Sequence, residues 1–170
     1  MGSKGYSRRD LLFGILDRFG ARETPRERTG FDSLSRDIDD LVRRARYREA
    51  IPELRRLLAK SPEHERARKK LGFCHVMAGH LEEGIEVLQE MRDNRGRDNF
   101  VLLYLGLAHA LREEPGRAVE VWRGYFNVDR PLIQRAVNLQ IALYDSGVAT
   151  SAREMAESVL EAIREQERNE

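Results

Sequence analysis

A spacing of 34 residues runs through most of this chain. The dipeptide Leu71-Gly72 recurs as Leu105-Gly106, and a small residue recurs at the same interval at Ala50, Gly84, Ala118 and Ala152. A fixed period of this length predicts a stack of like-sized units, each of which buries its apolar face against its neighbours. Proteins built in this way bind other polypeptides more often than they catalyse reactions.

Composition narrows the class of protein further. Charged residues make up 35% of the chain and aromatic residues 7%, which is typical of an all-helical protein with solvated outer faces. The net charge of +1 provides no overall field for a polyanion, so we expect no nucleic-acid partner. Cys74 is the one cysteine and cannot form an internal disulfide, which favours a reducing compartment and a cytoplasmic location.

The period also predicts how the chain is organised. Residues 1–20 are predicted to form an amphipathic arm, and residues 21–30 a charged linker with glycine and proline. The apolar residues of the arm share one helical stripe; they are Leu11, Leu12, Ile15, Leu16 and Phe19. Four repeats follow, at 31–64, 65–98, 99–132 and 133–166, and residues 167–170 form a short tail. Each repeat is predicted to be two helices joined by a turn.

The residues at the repeated positions resemble the tetratricopeptide repeat family, whose 34-residue pattern combines Leu-Gly, a small residue followed by a large one, and proline. Repeat 65–98 supplies Leu71, Gly72, Gly84 and Leu88, and repeat 99–132 supplies Leu105, Gly106, Ala118 and Trp122. The resemblance covers residues 31–166. It implies an all-α, right-handed superhelical solenoid of about four helical hairpins, preceded here by the amphipathic helix of the arm.

The small residues of this pattern predict where helices come close together. Gly72 should meet Gly84 within one hairpin, and Gly106 should meet Ala118 within the next. Larger side chains one turn away, such as Trp122, should fill the flanking space.

In this family the first helix of each repeat lines a concave face. The resemblance therefore implies a partner-binding groove that is apolar in its middle and basic on one shoulder. Its predicted residues are Arg66, Lys69, Lys70, Phe73, Met77, Phe100, Leu103, Tyr104, Leu107, Leu111, Gln134, Asn138, Ile141 and Tyr144. Burying one large apolar side chain contributes about 1.5–3 kcal/mol, so an open groove of this kind needs an occupant. The alternative is that neighbouring helices cover this surface.

The implied function is a non-catalytic protein–protein interaction module: a scaffold, adaptor, assembly factor or accessory subunit that binds a segment of a partner. The basic residues Arg66, Lys69 and Lys70 favour an acidic segment. Two alternatives stay open. The arm could anchor the protein to a membrane or redox complex, although its apolar face is short for a membrane-surface helix. It could also enter the groove of a second copy and build a self-assembling scaffold.

Catalytic and metal-binding motifs are missing from the sequence. It contains no phosphate-binding loop, H-E-x-x-H pair or nucleophile elbow, so we expect neither enzyme activity nor a cofactor. His75 and His109 occupy the same repeat position, and Cys74 precedes the first of them. Because adjacent residues of a helix point in different directions, these side chains are predicted to be packed core residues and not metal ligands.

Overall fold

The structure is a computed structural model that describes residues 31–95 and 97–169, and these residues form eight α helices and no strand. The helices are α1 (Phe31–Arg43), α2 (Tyr47–Lys60), α3 (Glu65–Met77), α4 (Leu81–Arg95), α5 (Asn99–Leu111), α6 (Pro115–Trp122), α7 (Pro131–Asp145) and α8 (Ala152–Asn169). The predicted all-α class is confirmed. The arm predicted at 1–20 and the linker predicted at 21–30 lie outside the described residues.

Consecutive helices pack as hairpins, and each hairpin packs against the next. The first helices of three hairpins begin at Phe31, Glu65 and Asn99, which are 34 residues apart. Their second helices begin at residues 47, 81 and 115, again 34 apart. This regular architecture is that of a tetratricopeptide-like helical repeat.

The turns inside the hairpins keep the same period in all four units. Each has one residue in the left-handed region, with φ of 55° at Ala45, 83° at Gly79, 63° at Glu113 and 67° at Gly147. In every turn the next amide donates to a carbonyl five residues back, as His80 N does to His75 O at 2.9 Å. This bond closes the helix end and turns the chain into the second helix.

These turns yield a first prediction. A left-handed conformation costs an ordinary residue about 1–2 kcal/mol, and glycine loses about 0.5–1 kcal/mol in entropy when it is ordered. Glu113→Gly should therefore raise the free energy of unfolding by about 0.5–1 kcal/mol in urea titrations. Gly79→Ala is the matched control, because a Cβ there meets nothing within 4 Å and any loss reports backbone strain alone. Unchanged stability in both variants would contradict this account of the turns.

The fourth hairpin departs from the regular stack. Helix α6 has 8 residues, whereas α2 has 14 and α4 has 15. A loop follows Trp122, and α7 then begins at Pro131, ahead of the predicted repeat start at residue 133. Helix α8 continues to Asn169, so residues 167–169 are helical where the sequence predicted a tail.

The last helix packs at the end of the stack in a position that the repeat pattern does not predict. Helix α8, and not α7, is the helix of the fourth hairpin that packs against α5. Its inner stripe is buried and includes Met155, Val159 and Ile163, whereas Glu157 and Glu161 on the opposite side are exposed. The amphipathic pattern of α8 thus matches its position at the end of the structure.

Close helix contacts lie where small residues recur. A Cβ on Gly84 would come 2.8 Å from Val76 Cγ2 and 3.4 Å from the carbonyl oxygen of Gly72, so these two glycines do meet. At Gly106 the three atoms nearest to such a Cβ all belong to Trp122, whose ring is fully buried.

Candidate functional site

Four aromatic rings form a cluster on the face that the sequence assigned to the groove. Phe73 of α3 lies at its centre, with ring centroids 5.4 Å from Tyr47 and 4.8 Å from Tyr104. Phe100 completes the cluster at 4.7 Å from Tyr104. The rings of Tyr47 and Tyr104 meet Phe73 edge to face, the arrangement that aromatic pairs favour.

Tyr47 was missed in the sequence. It is the first residue of α2, at the repeat position that Leu81 and Pro115 occupy in the next two hairpins. The sequence feature that could have identified it is an aromatic residue at a repeat position where the other units have none. Because this position belongs to a second helix, an assignment restricted to first helices could not include it.

The middle of the predicted groove is closed, which corrects the expectation of an open apolar trough. Phe73, Leu103 and Tyr104 are each less than a tenth exposed, and Leu107 is fully buried. Helix α8 packs against α5 and covers part of this face. The reason is the displaced fourth hairpin, whose second helix takes the place beside α5. These four residues are therefore covered by helices of the same chain, which was the alternative to an open groove.

Two cavities remain on either side of Tyr104, which lines both. The first, of about 240 Å³, lies between the α1–α2 corner, α3 and α8, and its walls include Tyr47, Phe73, Met77 and Leu160. The second, of about 350 Å³, lies at the start of α5. Arg97, Phe100, Leu103, Tyr125 and Arg130 are among its lining residues. Both cavities combine aromatic walls with charged rims, so they offer space for apolar side chains that carry a polar neighbour.

The basic shoulder also differs from its prediction. Lys69 is buried, and its Nζ lies 3.2 Å from Glu65 and 2.6 Å from Asp98. Lys70 is buried and donates to Asp39 of α1. Both lysines therefore form internal ion pairs that join α3 to neighbouring segments, and they are not an exposed surface for an acidic partner.

The pKa values of the two lysines shift in opposite directions. Burial lowers the pKa of Lys69, but its bonds to Asp98 and Glu65 outweigh burial and raise that pKa overall. Burial dominates at Lys70 and lowers its pKa despite the Asp39 carboxylate. The nearby guanidinium of Arg66 also lowers the pKa of Lys70.

The remaining residues of the predicted groove are less buried. Arg66, Met77, Phe100, Leu111, Gln134 and Ile141 are half-buried, and Asn138 and Tyr144 are exposed. Met77 and Phe100 line the first and second cavity, respectively. The predicted residues of α7 line neither cavity, and α8 is the helix of this hairpin that packs against α5. Tyr144 instead places its hydroxyl beside Gly116 at the start of α6.

The histidine and cysteine positions lie in the interior. Cys74 is fully buried, and burial raises the pKa of its thiol to about 12, so it stays protonated. His109 is buried with Nδ1 at 2.7 Å from a Glu114 carboxylate oxygen. Among the described residues, no group of three or more His, Cys, Asp and Glu side chains is arranged to hold a metal ion.

Stability is expected to depend on pH through His75. Burial lowers its pKa, nearby Arg55 and His80 lower it further, and Glu83 opposes them. The unfolded chain, with a histidine pKa of about 6.5, then binds the proton more readily than the folded one. Stability should fall as the pH drops below about 6.5. Urea titrations of the parent and of His75→Phe at pH 7 and pH 5 test this, and an equally large acid loss in the variant would assign the effect to other groups.

One of three comparisons with known proteins gave a match, and it agrees with this architecture. Residues 41–100, from the end of α1 into α5, match a family model described as tetratricopeptide repeat. Searches of curated proteins and of solved structures gave no match. Within the described part of the chain, no helix has the length and apolarity that crossing a membrane requires. The matched segment contains the α3–α4 hairpin, its left-handed turn at Gly79 and the close contact of Gly72 with Gly84. Residues 41–100 of this chain are therefore similar to a tetratricopeptide repeat in both sequence and helix arrangement.

Proposed function

We propose that this protein is a non-catalytic interaction module that binds a segment of a partner protein on the face formed by α3, α5 and α8. Tetratricopeptide repeats generally mediate protein–protein interactions, which supports the class of function. The location of the binding site is supported by the aromatic cluster, which has a cavity on each side of Tyr104.

The size of the cavities indicates what they hold. Pockets for drug-sized ligands measure about 300–1,000 Å³, and the two cavities here measure about 240 and 350 Å³. The first lies below this range and the second at its lower end, so we expect each to take one or two side chains of a partner. Protein interfaces draw most of their affinity from a few such anchors in well-packed pockets. A partner segment that inserts apolar side chains on both sides of Tyr104 would fill both cavities.

An adaptor, a scaffold or an assembly factor needs only this face. The membrane or redox accessory role and the self-assembly role both depend on the arm at residues 1–20. They stay predictions, since the arm lies outside the described residues.

Site-specific photocrosslinking in the native cell tests the proposal. A photoreactive phenylalanine analogue is placed at Met77 or Phe100, which are half-buried and line the two cavities. The same analogue at Glu86, exposed on α4, is the matched control. We expect both cavity positions, and not position 86, to give the same crosslinked protein. Crosslinks that form equally from position 86 would place the partner on another face and contradict the proposal.

A further inference from the structure

Helix starts no longer follow the 34-residue period after the loop at residues 123–130. This loop takes the place of the last turns of α6, which is shorter than α2 and α4. Side chains from two helices hold this loop. Asn99 of α5 donates from Nδ2 to the Phe126 carbonyl at 2.5 Å and accepts from the Phe126 amide at 3.2 Å. Gln134 of α7 accepts from the Asn127 amide at 2.6 Å. The backbone around Phe126 is thus bonded to both neighbouring helices.

This fixed backbone presents apolar side chains to solvent. Phe126 is 57% exposed and Val128 is 70% exposed. Single exposed apolar residues are ordinary on protein surfaces. Here, however, two of them stand on one loop whose backbone is already ordered, so a partner that packs against them does not have to order that backbone. Such preorganisation strengthens binding.

Arginines outnumber aspartates by three to two in the loop and the cavity beside it, and one of the two aspartates is the exposed Asp129. Arg97 is exposed and lies over the Phe126 ring, with its guanidinium carbon 5.9 Å from the ring centroid. The adjacent cavity of about 350 Å³ is lined by Arg97, Arg130 and one carboxylate, that of Asp98. Asp98 is already in an ion pair with Lys69 at 2.6 Å. An acidic segment therefore complements this end of the molecule better than a basic one.

We propose that this loop and cavity are the docking site for an acidic segment of a partner protein, in which one large apolar side chain is flanked by carboxylates. The apolar side chain enters the cavity, Phe126 and Val128 pack against the segment, and Arg97 pairs with a carboxylate. This inference rests on the proposed function, because it names the chemistry of the partner. The chain's own first 30 residues suit the site poorly, since seven Lys and Arg against four Asp and Glu give them a net charge of +3.

A random 12-residue peptide display library selected on the full chain tests the chemistry of the ligand. The enriched peptides should have a central Leu, Ile, Phe or Trp with Asp or Glu on either side. Fluorescence anisotropy with one labelled peptide of this kind then measures affinity. Its counterpart with lysine in place of each acidic residue should bind at least 10-fold more weakly. Selection of basic or uncharged peptides, or of none, would overturn the proposal.

Variants locate the site. The double variant Phe126→Ser/Val128→Ser should weaken binding at least 10-fold, and Arg97→Glu should weaken it and reduce its dependence on salt. Leu139→Ser/Val148→Ser is the matched control, because these residues are 51% and 50% exposed and lie outside both cavities. Circular dichroism checks that all three variants remain helical. Equal weakening by the control, or no effect at Phe126 and Val128, would overturn the site.

Two other occupants are distinguishable outcomes that would also overturn the proposal. If deletion of residues 1–30 strengthens peptide binding at least 10-fold, the chain's own arm occupies the site. If sedimentation shows a dimer that Phe126→Ser/Val128→Ser dissociates, a second copy does. A crosslinked partner at Met77 that is unaffected by the loop variants would leave the proposed function standing and refute this inference alone.

Discussion

Replacing Gly106 by alanine is expected to lower the free energy of unfolding by about 3 kcal/mol, at the upper end for an overpacked core. A Cβ at this position would lie 2.3 Å from Trp122 Nε1 and 2.4 Å from Trp122 Cδ1. The indole has no space to withdraw, because Trp122 is fully buried and its Nε1 donates to the Leu103 carbonyl at 3.2 Å. Either α5 and α6 move apart or this hydrogen bond breaks.

Gly124→Ala is the control for that measurement. There the nearest atom to a Cβ would be a terminal methyl of Leu102, at 3.3 Å, which can move aside, and the Val121 carbonyl oxygen at 3.4 Å is in ordinary van der Waals contact. We expect a change within about 1 kcal/mol in urea or thermal unfolding, which is the scale of an ordinary substitution. If Gly106→Ala were as mild as Gly124→Ala, the α5–α6 contact would not be the close approach described above.

Replacing Asp39 by alanine should cost about 3 kcal/mol, because it leaves the ammonium of Lys70 buried without its Asp39 partner. The side chain of Lys70 is 6% exposed and that of Asp39 is 21% exposed. Removing both charges together, in Asp39→Ala/Lys70→Met, should restore stability close to that of the parent, since an apolar replacement of a buried pair is often neutral. Equilibrium unfolding of the single and double variants measures the coupling between them.

The neighbouring residue Asp40 supplies the control. It pairs with Arg44 at 2.9 Å, and the side chains are 45% and 63% exposed. Exposed pairs contribute about 0–1 kcal/mol, so Asp40→Ala should have a small effect. A similar loss for Asp39 and Asp40 would show that Lys70 gains no particular stability from its partner, and would reopen its predicted role in contacting an acidic protein.

Much of the site could not be predicted from the sequence, and the lysines show why. The pattern placed Lys69 and Lys70 on the inward side of α3, but it does not reveal whether a carboxylate from another helix reaches them. Asp39 lies 31 residues away from Lys70. Asp98, bonded to Lys69, also caps α5 by accepting from the Val101 amide at 3.1 Å. Such pairings depend on how α1, α3 and α5 stack, which no local pattern states.

The 34-residue interval by itself determined the helical hairpins, the turns that join their helices and the close contact at Gly72 and Gly84. These are local features, since each depends on backbone conformation or on the size of a side chain at a helix contact. Only the tertiary structure decided that α6 ends early at Trp122, that α8 packs on α5, and that Phe73, Leu103, Tyr104 and Leu107 are covered. The physical reason is that the hydrophobic effect has no direction, so the apolar stripe of α8 is able to pack against any apolar face near it. Which face it buries depends on where the loop before α7 directs the last hairpin.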